Sequence, residues 1–207
     1  MYSAVELVAK RAFDITVASV GLVLCGPLLA AAGLVVRVSS PGPVIFGHER
    51  VGRAGKPFTL YKLRTMRGSV GSQVTVAGDK RVTPVGKILR RTKIDELPGL
   101  FNVLSGDLSL VGPRPEVRKY VDLYPPSAAR FIQRFRPGIT DPGSLLFRNE
   151  EEILAHSADP ERAYIDEVLP KKVELYVEYL QRASFVSDVR VLVKTLAIVC
   201  IPALAPR

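Results

Sequence analysis

Two adjacent carboxylates, Asp95 and Glu96, follow a run of cations at Lys87, Arg90, Arg91 and Lys93, and Arg114 stands between Pro113 and Pro115 a short way downstream. These are the parts that chemistry on phosphates needs. A carboxylate can attack phosphorus or hold a metal ion, while guanidinium and ammonium groups offset phosphate charge. With Asp95 opening a helix, the first backbone N–H groups and the helix dipole add positive potential, which favours ionised carboxylates and bound phosphate. Successive helical residues point about 100° apart, so the two carboxylates should take different roles. The flanking prolines restrict the backbone of Arg114 and aim its planar fork, which matches phosphate oxygens. Arg114, Lys93 and Arg91 are the candidate phosphate-binding residues of this block, with Arg148 added from a later segment.

These residues need elements to position them. Thr83-Pro84 reads as a helix start, with Thr83 as cap, for a helix running to about Arg91. Asp95 should open the next helix, ending at Ser105-Gly106, with Leu97, Leu100, Phe101 and Leu104 as its apolar face. Upstream, Val44-Ile45-Phe46 and Phe58-Thr59-Leu60-Tyr61 read as strands of a hairpin around a Gly- and Arg-rich connection. Lys62 and Arg64 on that hairpin are most simply a solvated face, and His48 and His156 packing or surface residues. The interval from Gly68 to Gly78 reads as a mobile loop. Short helices are expected from Pro115 to Tyr120 and from Ser127 to Phe135. Others should start at Glu150 and at the Asp159-Pro160 cap, the latter running toward Leu180. A final amphipathic helix, Ser187 to Ile201, suits the membrane interface or an ordinary core. Asp188 is a charge partner for Lys10 or Arg11.

The chain has 207 residues and a formal net charge of +9, from 29 basic and 20 acidic residues. The charge is uneven: Gly47 to Arg118 carries 14 Lys/Arg against 6 Asp/Glu, whereas Asn149 to Leu180 carries 3 against 9. The basic half suits a phosphorylated substrate, anionic lipid or nucleic acid. Cys25 and Cys200 both lie in apolar segments, without disulfide or metal-ligand spacing.

Residues 15–36 form an uncharged apolar run of 22 residues. A cleaved signal peptide fits poorly, because Asp14 borders the run and no extracellular cysteine pattern follows. A spanning helix would leave one basic flank, Lys10-Arg11 or Arg37, on the wrong side of the membrane. Gly26-Pro27 near the middle favours a helix that breaks and re-enters, leaving both flanks on one face. The expected organisation is a re-entrant membrane hairpin over residues 1–38 and a catalytic domain over 39–207. The fold class is α+β, predominantly helical, with a helix-break-helix, a small β-hairpin and interfacial amphipathic helices.

At this point the chain resembles the bacterial sugar transferases of the monotopic phosphoglycosyl transferase type. The resemblance covers nearly the whole chain and rests on Lys10-Arg11-Ala12-Phe13-Asp14, Pro43-Val44-Ile45-Phe46, Tyr61-Lys62-Leu63-Arg64-Thr65-Met66, Lys93-Ile94-Asp95-Glu96-Leu97-Pro98, Phe101-Asn102-Val103-Leu104, residues 106–115 (GDLSLVGPRP) and Arg136-Pro137-Gly138-Ile139-Thr140. It implies a membrane-embedded enzyme on the cytoplasmic face of the bacterial inner membrane. It implies transfer of a sugar phosphate from a UDP-sugar to polyprenyl phosphate with release of UMP, as the first step of surface polysaccharide or glycoconjugate assembly. By that resemblance Asp95 is the nucleophile, forming a covalent phosphosugar intermediate. Glu96 binds or assists Mg²⁺, with Asp95 close enough to share it, and Arg114 holds phosphate.

Two departures stand out. Gly26-Pro27 replaces the Ser-Pro common at the family's helix break. Asp141-Pro142-Gly143 follows Thr140 where one branch continues Gly-Trp, and Arg148-Asn149-Glu150-Glu151 looks like another branch. A membrane-tethered nucleic-acid binder or an inert scaffold is the rival reading. The chain lacks Trp and any docking motif, so nucleic acid is not an expected partner. A homodimer is compatible with the sequence, which does not specify the sugar.

Overall fold

The computed structural model describes residues 2–68, 74–147 and 149–200. The expected Gly68–Gly78 loop lies partly outside the described residues, as do Arg148 and Ile201.

Helix α1, Ala4–Ser39, has 36 residues, about 54 Å at 1.5 Å per residue. Ser3 and Glu6 form a capping box at its start. The helix runs on through Gly26-Pro27, where the sequence predicts a break. Pro27 deletes one backbone hydrogen bond. Packing on both sides of it outweighs that loss. Asp14, Ala18, Ala32, Gly33 and Val36 form a buried stripe at helical spacing, and Gly21 and Gly33 bring the helix close to Leu100 and Val44. Both halves of α1 therefore lie against the rest of the chain, while Val20, Val23, Leu24, Leu34 and Val38 on the opposite side are exposed.

The motif Lys10-Arg11-Ala12-Phe13-Asp14 docks this helix. Arg11 donates to the carbonyls of Val103 and Leu104 at 2.7 and 3.1 Å, satisfying the end of a later helix. The Leu110 N–H donates to Asp14 at 3.2 Å. Lys10 donates to the Val111 carbonyl at 2.9 Å and pairs with Asp188, as the charge pattern suggested. Tyr2 and Tyr179 also donate to Asp188, which ties both ends of the chain together.

The predicted hairpin is present. Strand β1, Ile45–Val51, pairs antiparallel with β2, Pro57–Leu63, placing Lys62 opposite Phe46 and His48 opposite Leu60. Arg64 leaves β2 and donates to the carbonyls of Val36 and Ser40. It closes the C-terminal end of α1, so it is no solvated side chain.

Helix α2, Pro84–Thr92, begins as expected: the Thr83 hydroxyl accepts from the Gly86 N–H at 2.8 Å. Its end differs. Lys93 adopts a left-handed conformation (φ 58°), and Ile94–Glu96 form one tight 3₁₀ turn. Helix α3, Gly99–Ser105, starts only after Pro98. The single helix expected from Asp95 is thus a turn followed by a seven-residue helix. Pro98 has no N–H to carry helical bonding back to Ile94. The apolar face is also rotated: Asn102 and Val103 are buried, while Phe101 is 56% exposed.

A second sheet was not anticipated. Strand β3, Ser109–Val111, pairs in parallel with β4, Gly138–Thr140. At three residues each, these strands are too short for a period to register. Gly112 and Gly138 cross so closely that a side chain at Gly138 would lie 2.1 Å from the Gly112 nitrogen. Short helices follow: α4, Arg118–Val121; α5, Pro126–Ile132; α6, Pro142–Leu146; α7, Glu150–Ala155; and α8, Pro160–Ala163. The α4 helix starts three residues later than expected, because Pro113 and Pro115 hold the preceding chain extended. The α8 helix continues through a π turn at Tyr164–Val168 into α9, Leu169–Arg182, with Pro170 in the first turn of α9. The last helix, α10, is Phe185–Cys200. It packs on α1 and both short strands, and keeps Val186, Val193 and Leu196 exposed.

The main core gathers Tyr120, Tyr124, Leu154, Tyr164, Val173, Tyr176 and Leu180 between α4, α5, α7 and α9. Smaller cores join α1 to α3, β2 and β3, and to α2.

Candidate active site

The left-handed Lys93 reverses the chain at the end of α2 and turns Asp95 inward, where it is 6% exposed. A non-glycine residue in this conformation costs about 1–2 kcal/mol, and such strain is concentrated at functional sites. Asp95 Oδ1 is buried without a hydrogen-bond partner among the described residues. An orphaned carboxylate oxygen is costly unless the site uses it.

Glu96 points to a different set of neighbours. Its Oε1 accepts from Lys62 Nζ and from an Arg114 terminal nitrogen, both at 2.8 Å. Lys62 belongs to this site and not to a solvated face. Phe58, Leu60 and Lys62 share one side of β2, and that side faces inward because Asn102 fixes the strand. Asn102 accepts from the Tyr61 N–H at 3.0 Å and donates to the Thr59 carbonyl at 2.8 Å. The period-2 alternation through Leu60 was the signal available in the sequence.

The two carboxylates are held in opposite electrostatic states. Burial and then the Glu96 charge push Asp95 above the usual carboxylate range, against the pull of Lys62, Lys93 and Arg90. Burial also acts on Glu96, but Arg114, Lys62 and Lys93 outweigh it and hold Glu96 well below that range. The Glu96 carboxylate raises Arg114, whereas burial pushes Lys62 down despite its partner. The result is one carboxylate held as an anion in a cationic clamp beside a second whose ionisation burial disfavours. Pairs separated in this way divide chemical roles.

A cleft beside the clamp is lined by Tyr61, Lys62, Glu96, Arg114, Gly138 and Ile139. Of the residues singled out in the sequence, Glu96 and Arg114 line this cleft, while Asp95 and Lys93 lie near enough for their charges to bear on the site. Arg91 is exposed on α2, and Arg90 is the α2 arginine whose charge bears on Asp95. Gly26 and Pro27 lie in α1, away from the dyad in sequence, and do not line that cleft.

For Mg²⁺ the test is the donor set. No cluster of three or more His, Cys, Asp or Glu side chains occurs among the described residues. Magnesium does not need one, since it is commonly held by one or two carboxylates together with substrate phosphates. Both ion pairs of Glu96 fall on Oε1, and Asp95 Oδ1 is unpartnered. The remaining carboxylate oxygens therefore fit such a cation.

A long apolar helix, apolar enough by length and composition to cross a membrane, is laid along a small α+β body in which Glu96 of the acidic pair is clamped by Lys62 and Arg114. A family model for bacterial sugar transferases matches residues 5–202, and the chain belongs to that family. It is similar to the UDP-N-acetylgalactosamine-undecaprenyl-phosphate N-acetylgalactosaminephosphotransferase of Aeromonas hydrophila, at 37% identity over 90% of this chain and 42% of that protein. It is 37% identical to the UDP-glucose:undecaprenyl-phosphate glucose-1-phosphate transferase of Caulobacter vibrioides, over 90% of this chain and 67% of the relative. The exopolysaccharide production protein ExoY of Rhizobium meliloti is 34% identical over 93% of this chain and 86% of its own length. The chain thus spans less than half of the Aeromonas protein and most of ExoY.

Proposed function

We propose that this protein transfers a sugar phosphate from a UDP-sugar to a membrane polyprenyl phosphate and releases UMP, in the assembly of an extracellular polysaccharide. The observation that carries the reading is the split dyad: a buried Asp95 with an unpartnered oxygen beside a Glu96 clamped by two cations. The relatives' names supply the substrate class.

In this reading a carboxylate oxygen of Asp95 attacks the sugar-bearing phosphorus. The bond from that phosphorus to the bridging oxygen breaks, and UMP leaves with the electron pair. An oxygen of the lipid phosphate then attacks the same phosphorus and frees Asp95. Two steps replace one direct displacement between anions. Arg114, Lys62 and Lys93 hold the diphosphate in the first step and offset the charge of the transferred and lipid phosphates in the second. Burial keeps the Asp95 carboxylate poorly solvated and therefore reactive once ionised. Glu96, with Asp95, would hold Mg²⁺; when bound, the ion neutralises phosphate charge and polarises the leaving oxygen.

We place the protein at the cytoplasmic face of the inner membrane without crossing it. Both halves of α1 contact the same body, so a perpendicular span would carry that body into the bilayer. The exposed apolar faces of α1 and α10 would lie in lipid, with the basic flanks on one side. The test of the activity is UMP release from a panel of UDP-sugars with polyprenyl phosphate. Asp95→Asn should abolish it, and full turnover by that variant would remove the nucleophile assignment.

A further inference from the structure

The contacts that aim Arg114 lie outside the clamp. On its N-terminal side the Pro113 carbonyl accepts from the Gly138 N–H at 2.9 Å. On its C-terminal side, β1 and Tyr164 hold the next two residues. Arg50 donates to the Pro115 carbonyl and to the Glu116 carboxylate, each at 3.3 Å. The Val51 N–H donates to the Glu116 carbonyl at 2.9 Å. The Tyr164 hydroxyl donates to the other carboxylate oxygen of Glu116 at 2.6 Å.

The hairpin links this set to the clamp. Arg50 stands opposite Phe58, and Phe58 shares its side of β2 with Lys62. Directly opposed residues of an antiparallel pair share a face. One face of the hairpin therefore presents Lys62 to Glu96 and Arg50 to the segment after Arg114. A single element sets the separation of the two cations that meet on Glu96 Oε1.

Tyr164 begins the π turn between α8 and α9. Such turns are rare and often lie at functional sites. Its side chain is buried against the Tyr120 ring, 4.9 Å away between centroids, and against Lys172, whose Nζ lies 5.0 Å from the Tyr164 centroid. Packing thus fixes the ring and leaves the hydroxyl to Glu116. Glu116 in turn steadies Arg50: burial disfavours the Arg50 charge, Glu116 opposes that, and the nearby Arg114 charge adds to it.

We propose that Tyr164 and Glu116 are positioning residues of the phosphate clamp: they hold Arg50 and the Pro115–Glu116 backbone, and so the direction in which Arg114 meets phosphate. The proposal rests on the sugar-phosphate transfer reading above and adds which residues remote from the dyad set its rate.

The test is a double-mutant cycle in detergent. Wild type, Tyr164→Phe, Arg114→Lys and the double variant are compared by kcat/KM for UMP release, with circular dichroism to fix the folded fraction. Tyr164→Phe keeps the ring and deletes one hydrogen bond to a carboxylate. It should lower kcat/KM by about 5- to 20-fold at an unchanged folded fraction. In the Arg114→Lys background, which has no planar fork left to aim, the same deletion should change kcat/KM by less than about 2-fold. An equal loss in both backgrounds would overturn the proposal, as would wild-type kcat/KM in Tyr164→Phe. If Tyr164→Phe does not fold, Glu116→Gln decides by the same cycle. Pyrophosphate affinity, measured by calorimetry, replaces kcat/KM in the cycle if Arg114→Lys does not turn over. A wild type that binds pyrophosphate but releases no UMP from any UDP-sugar would overturn the transfer reading alone, and the pyrophosphate cycle would still decide the positioning. A wild type that does neither would overturn both.

Discussion

Replacing Glu96 by Gln tests the clamp. The carboxylate lies 2.8 Å from both Lys62 and Arg114. At an effective dielectric near 20 each contact is worth about 6 kcal/mol of Coulomb energy before desolvation is counted. Desolvation removes much of that, and breaking one side of a buried pair typically costs about 3–5 kcal/mol. Here the side chains of Lys62 and Arg114 retain 24% and 31% exposure, so water partly compensates them once the charge is gone. The lower end, about 3 kcal/mol, is therefore expected. For a chain of this length that is a melting temperature roughly 6–12 °C lower, measured by far-UV circular dichroism in mild detergent. The pH dependence has a fixed sign. Glu96 is held below its unfolded value, so its contribution is complete above about pH 4.3 and is lost as pH falls toward the depressed folded value. The gap between wild type and variant should narrow only in acid. Glu96 also helps to raise Asp95, so the acid limb of residual activity should move to lower pH in the variant. A melting temperature within about 2 °C of wild type, or an acid limb moving upward, would refute the clamp.

Asp95→Asn should abolish transfer yet raise the melting temperature. Burial and Glu96 disfavour the charged form, so ionised Asp95 costs stability above its raised pKa. For the same reason wild-type activity should fall in acid with a midpoint above the ordinary aspartate value, read from a pH–kcat/KM profile. Gly86→Ala should destabilise, by about 1–3 kcal/mol, because a Cβ there would lie 2.0 Å from the Thr65 carbonyl oxygen. That clash exceeds the roughly 1 kcal/mol gained in helix propensity, and a thermal melt gives the sign. Single cysteines at Ser3 and Ser157, in a chain whose own cysteines are replaced, should react with a membrane-impermeant thiol reagent from the same side of vesicles; labelling from opposite sides would mean that α1 spans.

Much of the architecture could be read from the sequence where signals were local. Thr83-Pro84 marks the start of α2, two short apolar runs around a Gly- and Arg-rich connection mark the hairpin, and charge offers Asp188 to Lys10 or Arg11, of which the structure takes Lys10. What escaped depended on contacts distant in sequence. The parallel pairing of β3 with β4 joins segments of three residues whose partners lie nearly thirty positions away. Alternation through Leu60 puts Lys62 on the inner side of β2, but the residue that fixes the strand, Asn102, is distant in sequence. Acidic residues favour helix starts, so Asp95 reads locally as one. The left-handed Lys93 that moves it off the helix has no signature of its own, since lysine is not a residue that prefers that conformation. Pro27 signals a break locally, but the packing that holds both halves of α1 is not local and the helix continues.

The most direct measurement is the intact mass of the protein incubated with a turned-over UDP-sugar and Mg²⁺, without lipid acceptor. A gain of one sugar phosphate, mapped by peptide analysis to Asp95 and discharged when polyprenyl phosphate is added, is the predicted result. Rapid turnover with no adduct at any time, or an adduct on another residue that persists in Asp95→Asn, would contradict it.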